Sequence, residues 1–133
     1  MKALSKRAEA VFRAAMARCG EEGHCKIGDG GTFMALCVER IGEVHWGGSV
    51  FPLWSFAHYG EQNGDAMRDP DVVMLEAGTG LYPMSFRNDY LGVDNESLVY
   101  EDGKVSGCRL KMQASITSFC ATWAGNLKDQ QGL

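Results

Sequence analysis

The stretch SVFPLWSFAHY, residues 49–59, decides the fold because its aromatic and β-branched side chains are typical of a β-strand. Pro52 lacks a backbone N–H, which places the first part of this strand at an edge or a bulge. The preceding Gly47-Gly48 pair interrupts any regular element and predicts a turn. Residues 49–59 are therefore expected to be one strand of a sheet that continues on both sides.

Further strand-like segments lie on both sides of this stretch. In chain order they are residues 32–41, 43–46, 71–77, 81–87, 98–101 and 104–108. Asp102-Gly103, between the last two, is the strongest hairpin signal in the chain. Because strands in series with short turns pair antiparallel, the sequence predicts a mainly antiparallel sheet of about five to six strands.

Two amphipathic helices enclose the strand-rich part of the sequence. The first is predicted over residues 3–19 and the second over residues 109–128, each with one apolar stripe at helical spacing. The stripes consist of Leu4, Ala8, Val11, Phe12, Ala15, Met16 and Cys19, and of Met112, Ile116, Phe119, Cys120, Trp123 and Leu127. The sequence thus predicts a single α+β domain over residues 1–133, with an N-terminal and a C-terminal helix packed on one face of the sheet.

The composition indicates a cytoplasmic protein. The N-terminal residues 1–20 carry charges among their apolar residues, and no window has the length of a membrane span, so neither a signal peptide nor a membrane segment is expected. The five cysteines are an odd number without regular spacing, which fits a reducing compartment. Gly28-Asp29-Gly30-Gly31 precedes a strand instead of a helix and lacks the phosphate-binding geometry, so no cofactor is expected.

The charge of the chain is unevenly distributed. Residues 61–102 hold ten of the seventeen acidic residues but only two of the thirteen basic ones, Arg68 and Arg87. The alternatives are a solvated acidic face and an acidic surface that binds a partner with a basic surface. The partner-binding candidates are Asp89, Asp94, Glu96, Glu101 and Asp102. The acidic pI of about 5.3 argues against direct nucleic-acid binding.

Residues 58–71, HYGEQNGDAMRDPD, form the densest polar segment. One hypothesis is a divalent-metal-dependent hydrolase or nuclease whose catalytic residues are His58, Glu61, Asp65 and Asp69, because oxygen and imidazole ligands of this kind bind cations that activate water. Their spacing matches no known metal motif, so no metal is expected. The alternative is turn chemistry, with a turn at Asn63-Gly64, Asp65 capping a helix and Asp69-Pro70 ending the segment.

Arg87 offers a structural explanation for the same carboxylates. If the loop after Tyr59 and the turn after Arg87 lie at one end of the sheet, Arg87 can pair with Asp65, Asp69 or Asp71. Asp65, Asp69 and Arg87 are therefore predicted to form a structural clamp.

Three runs of the sequence resemble an uncharacterised bacterial domain family. They are residues 34–42 (MALCVERIG), 56–71 (FAHYGEQNGDAMRDPD) and 82–92 (YPMSFRNDYLG), and the family pattern contains "AHY-EQNGD-M-DP" and "F-NDFLG"-like segments. The resemblance covers roughly residues 32–128, with Tyr90 where the pattern has Phe. Members of this family occur largely in phages, plasmids and integrated elements, and the resemblance implies a mobile-element context without an assigned activity.

The sequence therefore favours a non-catalytic interaction protein of a mobile genetic element. Such a protein could be a regulator, or an inhibitor of a host defence nucleoprotein complex, acting through its acidic surface. The metal-dependent hydrolase is the second hypothesis. A homodimer formed through the aromatic residues near Trp46 and Trp54 is the third.

Overall fold

The computed structural model describes all 133 residues. Helix α1 spans Lys6–Ala17 and α2 spans Leu110–Gln131, and a short 3-10 turn, Gly20–Glu22, follows α1. The strands are β1 (His24–Ile27), β2 (Leu36–Trp46), β3 (Ser49–Gln62), β4 (Asp65–Ala77), β5 (Gly80–Asn88), β6 (Val93–Glu96), β7 (Leu98–Glu101) and β8 (Lys104–Cys108).

The α+β class and the mostly antiparallel sheet are confirmed, but the sheet has eight strands instead of five to six. The two additional strands are β1 and β6, whose short sequences HCKI and VDNE carry little strand propensity. Residues 36–46 form one strand with a bulge between Arg40 and Gly42, where two separate strand-like segments were predicted to meet. Neither helix reaches an end of the chain, since residues 1–5 precede α1 and residues 132–133 follow α2.

The two helices pack against each other and against the same face of the sheet. The Ser5 hydroxyl caps α1 by accepting a hydrogen bond from the Ala8 backbone N–H at 3.2 Å. Both helices and the sheet contribute to one cluster of 19 buried apolar residues, in which Phe12 lies 5.0 Å from Phe56 and 5.7 Å from Trp123 between ring centroids. No helix combines the length and apolarity that crossing a bilayer requires.

The sheet curls until its two ends meet. Its strand order is β6-β5-β4-β3-β2-β8-β7, with β1 attached to β2. β6 and β7 stand at opposite ends of this order, yet Ser97 alone separates them in the chain. Residues 93–101 must therefore join β5 to β8, and the sheet approaches a closed barrel. We call the face turned away from the helices the inner face.

The inner face has an apolar half and a polar half. The apolar half is a cluster of five buried residues: Val44, Leu75, Met84, Leu98 and Val105. Trp46, Phe51 and Tyr82 pack against this cluster and line a cavity of about 500 Å³ at that end. The polar half lies toward the other ends of β2–β5 and carries the residues described next.

Candidate functional site

The second and third motif segments meet at one end of the sheet. Arg68 and Asp89 form a two-sided contact, in which the Arg68 backbone N–H donates to Asp89 Oδ2 at 2.7 Å and Arg68 Nη2 donates to Oδ1 at 2.8 Å. The Asp89 backbone N–H donates in return to the Arg68 carbonyl oxygen at 2.9 Å. The charge-assisted bonds from Arg68 hold the pKa of Asp89 below its usual value.

Two neighbouring residues complete this contact. Asn88 Nδ2 donates to Asp69 Oδ1 at 2.9 Å, and Asn88 Oδ1 accepts from the Leu91 backbone N–H at 3.1 Å. The Tyr90 ring lies against Gly60 so closely that a Cβ at that position would collide with the Tyr90 hydroxyl. The turn after β5 therefore supports the end of the β3–β4 hairpin, residues 59–68, which we call the hairpin arm.

Of the three carboxylates predicted as partners of Arg87, Asp65 and Asp69 do not pair with it, and Asp71 lies directly opposite it on the neighbouring strand. Arg87 Nε pairs with Asp94 Oδ1 at 3.0 Å, and Arg87 Nη1 donates to the Ser85 hydroxyl at 2.8 Å. Asp65 is exposed in the hairpin arm, and Asp69 accepts its hydrogen bond from Asn88. Strand alternation places Arg87 on the inner face, beside Asp71 and Asp94. Asp69 lies on the opposite face, beside His58.

The proposed catalytic set does not converge. His58 is buried on the helix side, where Nδ1 donates to the Ala35 carbonyl at 2.9 Å and Nε2 accepts from the Trp123 indole N–H at 3.2 Å. These partners occupy both ring nitrogens of His58. Glu61 and Asp65 are exposed in the hairpin arm, and no group of three or more His, Cys, Asp or Glu residues is arranged to hold a metal ion. Asp65 does not cap a helix, because it begins β4.

Strand register aligns the polar half of the inner face in two cross-strand rows. From β6 to β1, the first row is Asp94, Arg87, Asp71, Ala57, Cys37 and Lys26. The second row, in the same order, is Glu96, Ser85, Val73, Ser55, Glu39 and His24. Polar side chains that are far apart in the chain are thus adjacent on one surface.

The centre of these rows is buried and internally bonded. Ser55 and Ser85 are buried, and the Ser55 hydroxyl donates to Asp71 Oδ1 at 2.6 Å. A depression of about 420 Å³ adjoins Ser55, and Cys37, Glu39 and Tyr59 are among its lining residues. Burial raises the pKa of the Cys37 thiol, so it is not an activated nucleophile. The arrangement offers fixed polar contacts, of which the hydroxyl–carboxylate pair of Ser55 and Asp71 is the shortest.

The five predicted partner-binding residues occupy different environments. Asp89 is engaged by Arg68, and Asp94 is paired with Arg87. Glu96 is half-buried on the inner face, and burial raises its pKa. Glu101 and Asp102 are exposed where β7 turns into β8. Asp94, Glu96, Glu101 and Asp102 all belong to the β6–β7–β8 segment, which we call the acidic edge.

Ser55 and Ser85 were not among the predicted site residues, and Asp71 was named only as a possible partner of Arg87. Each follows the alternation of its strand, so strand patterning alone could place them on one face. Their adjacency depends on the registers of two hairpins, β3–β4 and β4–β5, and was not predictable from spacing. Trp54, assigned to a possible dimer interface, is buried and donates its indole N–H to Glu76 Oε1 at 3.2 Å, so it is not available on the surface.

Asp89→Ala is expected to loosen the hairpin arm without unfolding the domain. The substitution removes the acceptor of the Arg68 backbone N–H, so hydrogen exchange of that amide should accelerate by about tenfold. Lowering the pH should likewise reduce the protection of this amide, measured relative to the intrinsic exchange rate at each pH. The depressed pKa of Asp89 means that the contact is complete above the unfolded carboxyl's pKa and is lost as the pH falls through the folded value.

Asp65→Ala is the matched control, since Asp65 is exposed and makes no side-chain hydrogen bond in the same hairpin arm. Exchange should be measured by NMR at a pH where the domain is folded. Equal exchange of the Arg68 amide in both variants would show that Asp89 does not stabilise the arm.

The fold and this surface define a small α+β domain with a curled antiparallel sheet and a polar inner face. The chain belongs to the family described as a domain of unknown function, DUF6908, whose model matches residues 6–133. No curated protein and no solved structure matches the chain.

Proposed function

We propose that this protein is a non-catalytic interaction protein that binds a protein partner with a basic surface through its acidic edge. The observation that carries this proposal is the position of Glu101 and Asp102, exposed at the turn between β7 and β8. The hydrolase candidates, by contrast, are separated, and His58 is buried with both ring nitrogens bonded. Nothing in the geometry favours a metal-dependent reaction.

The narrower proposal is a regulator, or an inhibitor of a host defence nucleoprotein complex, encoded by a mobile element and acting in the cytoplasm. Its support is the resemblance of residues 56–71 and 82–92 to domains of mobile elements, together with the excess of acidic residues in 61–102. Carboxylates presented on a rigid edge can compete with nucleic-acid phosphates for the same basic groove.

Neutralising the edge with Glu101→Gln and Asp102→Asn is expected to weaken partner capture by about tenfold, since each exposed charge contributes up to roughly 1 kcal/mol. Asn is chosen at position 102 because the residue has φ 51°, a left-handed conformation that Asn and Asp tolerate. The tagged protein is used for capture from lysate of its native host, and the partner is identified by mass spectrometry and quantified at low and high salt. The difference should shrink at high salt because counter-ions screen exposed charges.

Glu21→Gln with Glu22→Gln is the matched control, because both residues are exposed in the 3-10 turn and the change in net charge is the same. If capture of a partner weakens equally in both double variants, the effect comes from overall charge. The acidic edge would then not be the binding surface. Circular dichroism of each variant confirms that the fold is intact.

A further inference from the structure

Two free thiols meet where the end of α1 faces β1. Cys19 follows α1 and is buried, and its Sγ lies 3.7 Å from the Ala15 carbonyl oxygen. Cys25 lies on β1, and its Sγ is 3.8 Å from the same oxygen. Cys19 Sγ is also 3.9 Å from the carbonyl oxygen of Val38, the residue directly opposite Cys25 in the β1–β2 pair. The two sulfur atoms are therefore neighbours on the helix side of the sheet.

The segment between the two cysteines can adjust to bring their sulfur atoms into bonding distance. It contains Gly20 and Gly23, both with positive φ angles, and a single 3-10 turn. β1 has only four residues and pairs with β2 alone, so one side of it is an unpaired edge. A disulfide needs β-carbon atoms about 4 Å apart, and a short edge strand beside a turn absorbs the required shift without disturbing the central strands.

The two thiols differ in access and in acidity. Cys25 is half-buried, and it is among the residues that line the depression of about 420 Å³ beside Ser55. Burial and the neighbouring Cys25 thiol raise the pKa of Cys19 to about 12, so Cys19 stays protonated at neutral pH. A reagent in solution therefore reaches Cys25 first, and Cys19 is placed to react second.

Cys37 lines the same depression but cannot take the place of Cys19. It belongs to the first cross-strand row, which lies on the inner face of the sheet. Cys25 packs against the helix-side core instead. The sheet thus separates these two thiols, and Cys19 is the partner that the fold offers to Cys25.

We propose that Cys19 and Cys25 form a reversible disulfide when the protein reacts with a small disulfide such as oxidised glutathione. The Cys25 thiolate attacks one sulfur of the reagent, which forms a mixed disulfide and releases one glutathione. The Cys19 thiolate then attacks Cys25 Sγ and releases the second glutathione. Two protein thiols are oxidised, one glutathione disulfide is reduced, and the two protein protons end on the two glutathione thiols. This modification site does not depend on the proposed function.

The test is to incubate the folded protein with oxidised glutathione, unfold it in an alkylating reagent and digest it with trypsin. Cleavage after Arg18 and Lys26 leaves both cysteines in one peptide, residues 19–26. We expect this peptide to escape alkylation and to lose the mass of two hydrogen atoms, and dithiothreitol should restore both alkylation sites. Alkylation of both cysteines, glutathione that stays attached to Cys25, or a bond between Cys25 and Cys37 would each overturn the proposal.

Cys25→Ser and Cys37→Ser form a matched pair of variants, because each removes one thiol from the lining of the same depression. In Cys25→Ser, Cys19 should be fully alkylated after unfolding. In Cys37→Ser, the peptide of residues 19–26 should be oxidised as in the original protein. Circular dichroism checks the fold of each variant, and an alanine replaces the serine where it is lost. Loss of the bond in a folded variant at position 37 would contradict the assignment.

A synthetic peptide of residues 19–26 shows whether the fold favours the bond or chain proximity alone produces it. A disulfide that fits the native structure is stabilised by folding to the same extent as it stabilises the fold. The bond in the protein should therefore survive at a ratio of reduced to oxidised glutathione about tenfold higher than the ratio that opens the peptide. Equal survival in the protein and the peptide would mean that the fold does not provide this site.

Discussion

Replacing Phe12 with alanine is expected to lower the free energy of unfolding by about 4 kcal/mol, because a large buried ring is removed from a packed core. Phe12 is fully buried and contacts Phe56 of β3 and Trp123 of α2 through its ring. It therefore connects both helices to the centre of the sheet. Domains of this size are stable by only about 5–15 kcal/mol, so much of the stability would be lost.

Urea unfolding followed by circular dichroism measures this loss. Phe33→Ala is the matched control, because the Phe33 side chain is 47% exposed and its truncation should change stability by no more than about 0.5 kcal/mol. Similar midpoints for the two variants would mean that the shared core does not hold the helices on the sheet. Trp123 also donates to His58, so loss of this packing should disturb the histidine that was a catalytic candidate.

The helices and most hairpins were predictable because local sequence determines them. The apolar stripe of α1 was predicted at Ala8, Val11, Phe12 and Ala15, and all four are buried. Asp102-Gly103 and Gly47-Gly48 form turns with positive φ angles, as their residue types indicate. In each case the decisive interaction lies within a few residues of chain.

The curl of the sheet was not predictable, because it depends on pairs that are distant in the chain. β1 and β6 are strands only through their pairing with β2 and β5. The parallel pair of β2 with β8 rests on one register position, Trp46 with Val105. No local pattern contains this information, so neither the barrel-like closure nor the inner face followed from the sequence.

The candidate site was predicted only in outline. The meeting of the two motif segments was foreseen, but the arginine that joins them is Arg68 instead of Arg87. Strand alternation decides between them, because Arg87 follows the inner face and pairs with Asp94. A prediction that treated the residues between Tyr59 and Asp71 as a loop had no alternation to use, and the structure shows that most of them belong to the paired strands β3 and β4.

Gln113 shows how a polar residue can be as central to this fold as its aromatic core. It is fully buried on α2, where the sequence pattern placed Met112 in the apolar stripe instead. Its Nε2 donates to the carbonyls of Lys2 and Pro83 at 2.7 and 3.0 Å, and its Oε1 accepts from the Lys2 backbone N–H at 2.8 Å. One side chain thus joins the N-terminal segment, β5 and α2.

Gln113→Leu is expected to lower the free energy of unfolding by about 3 kcal/mol, because it removes the amide's hydrogen bond to the Pro83 carbonyl and both of its hydrogen bonds with the Lys2 backbone. Leucine fills a similar volume, so the loss comes from hydrogen bonding and not from a cavity. Gln130→Leu, exposed near the end of the same helix, is the control and should leave stability unchanged. Urea unfolding gives the energies, and faster proteolysis of residues 1–5 in Gln113→Leu alone would identify the released segment. Equal stability of the two variants would show that the buried amide is dispensable.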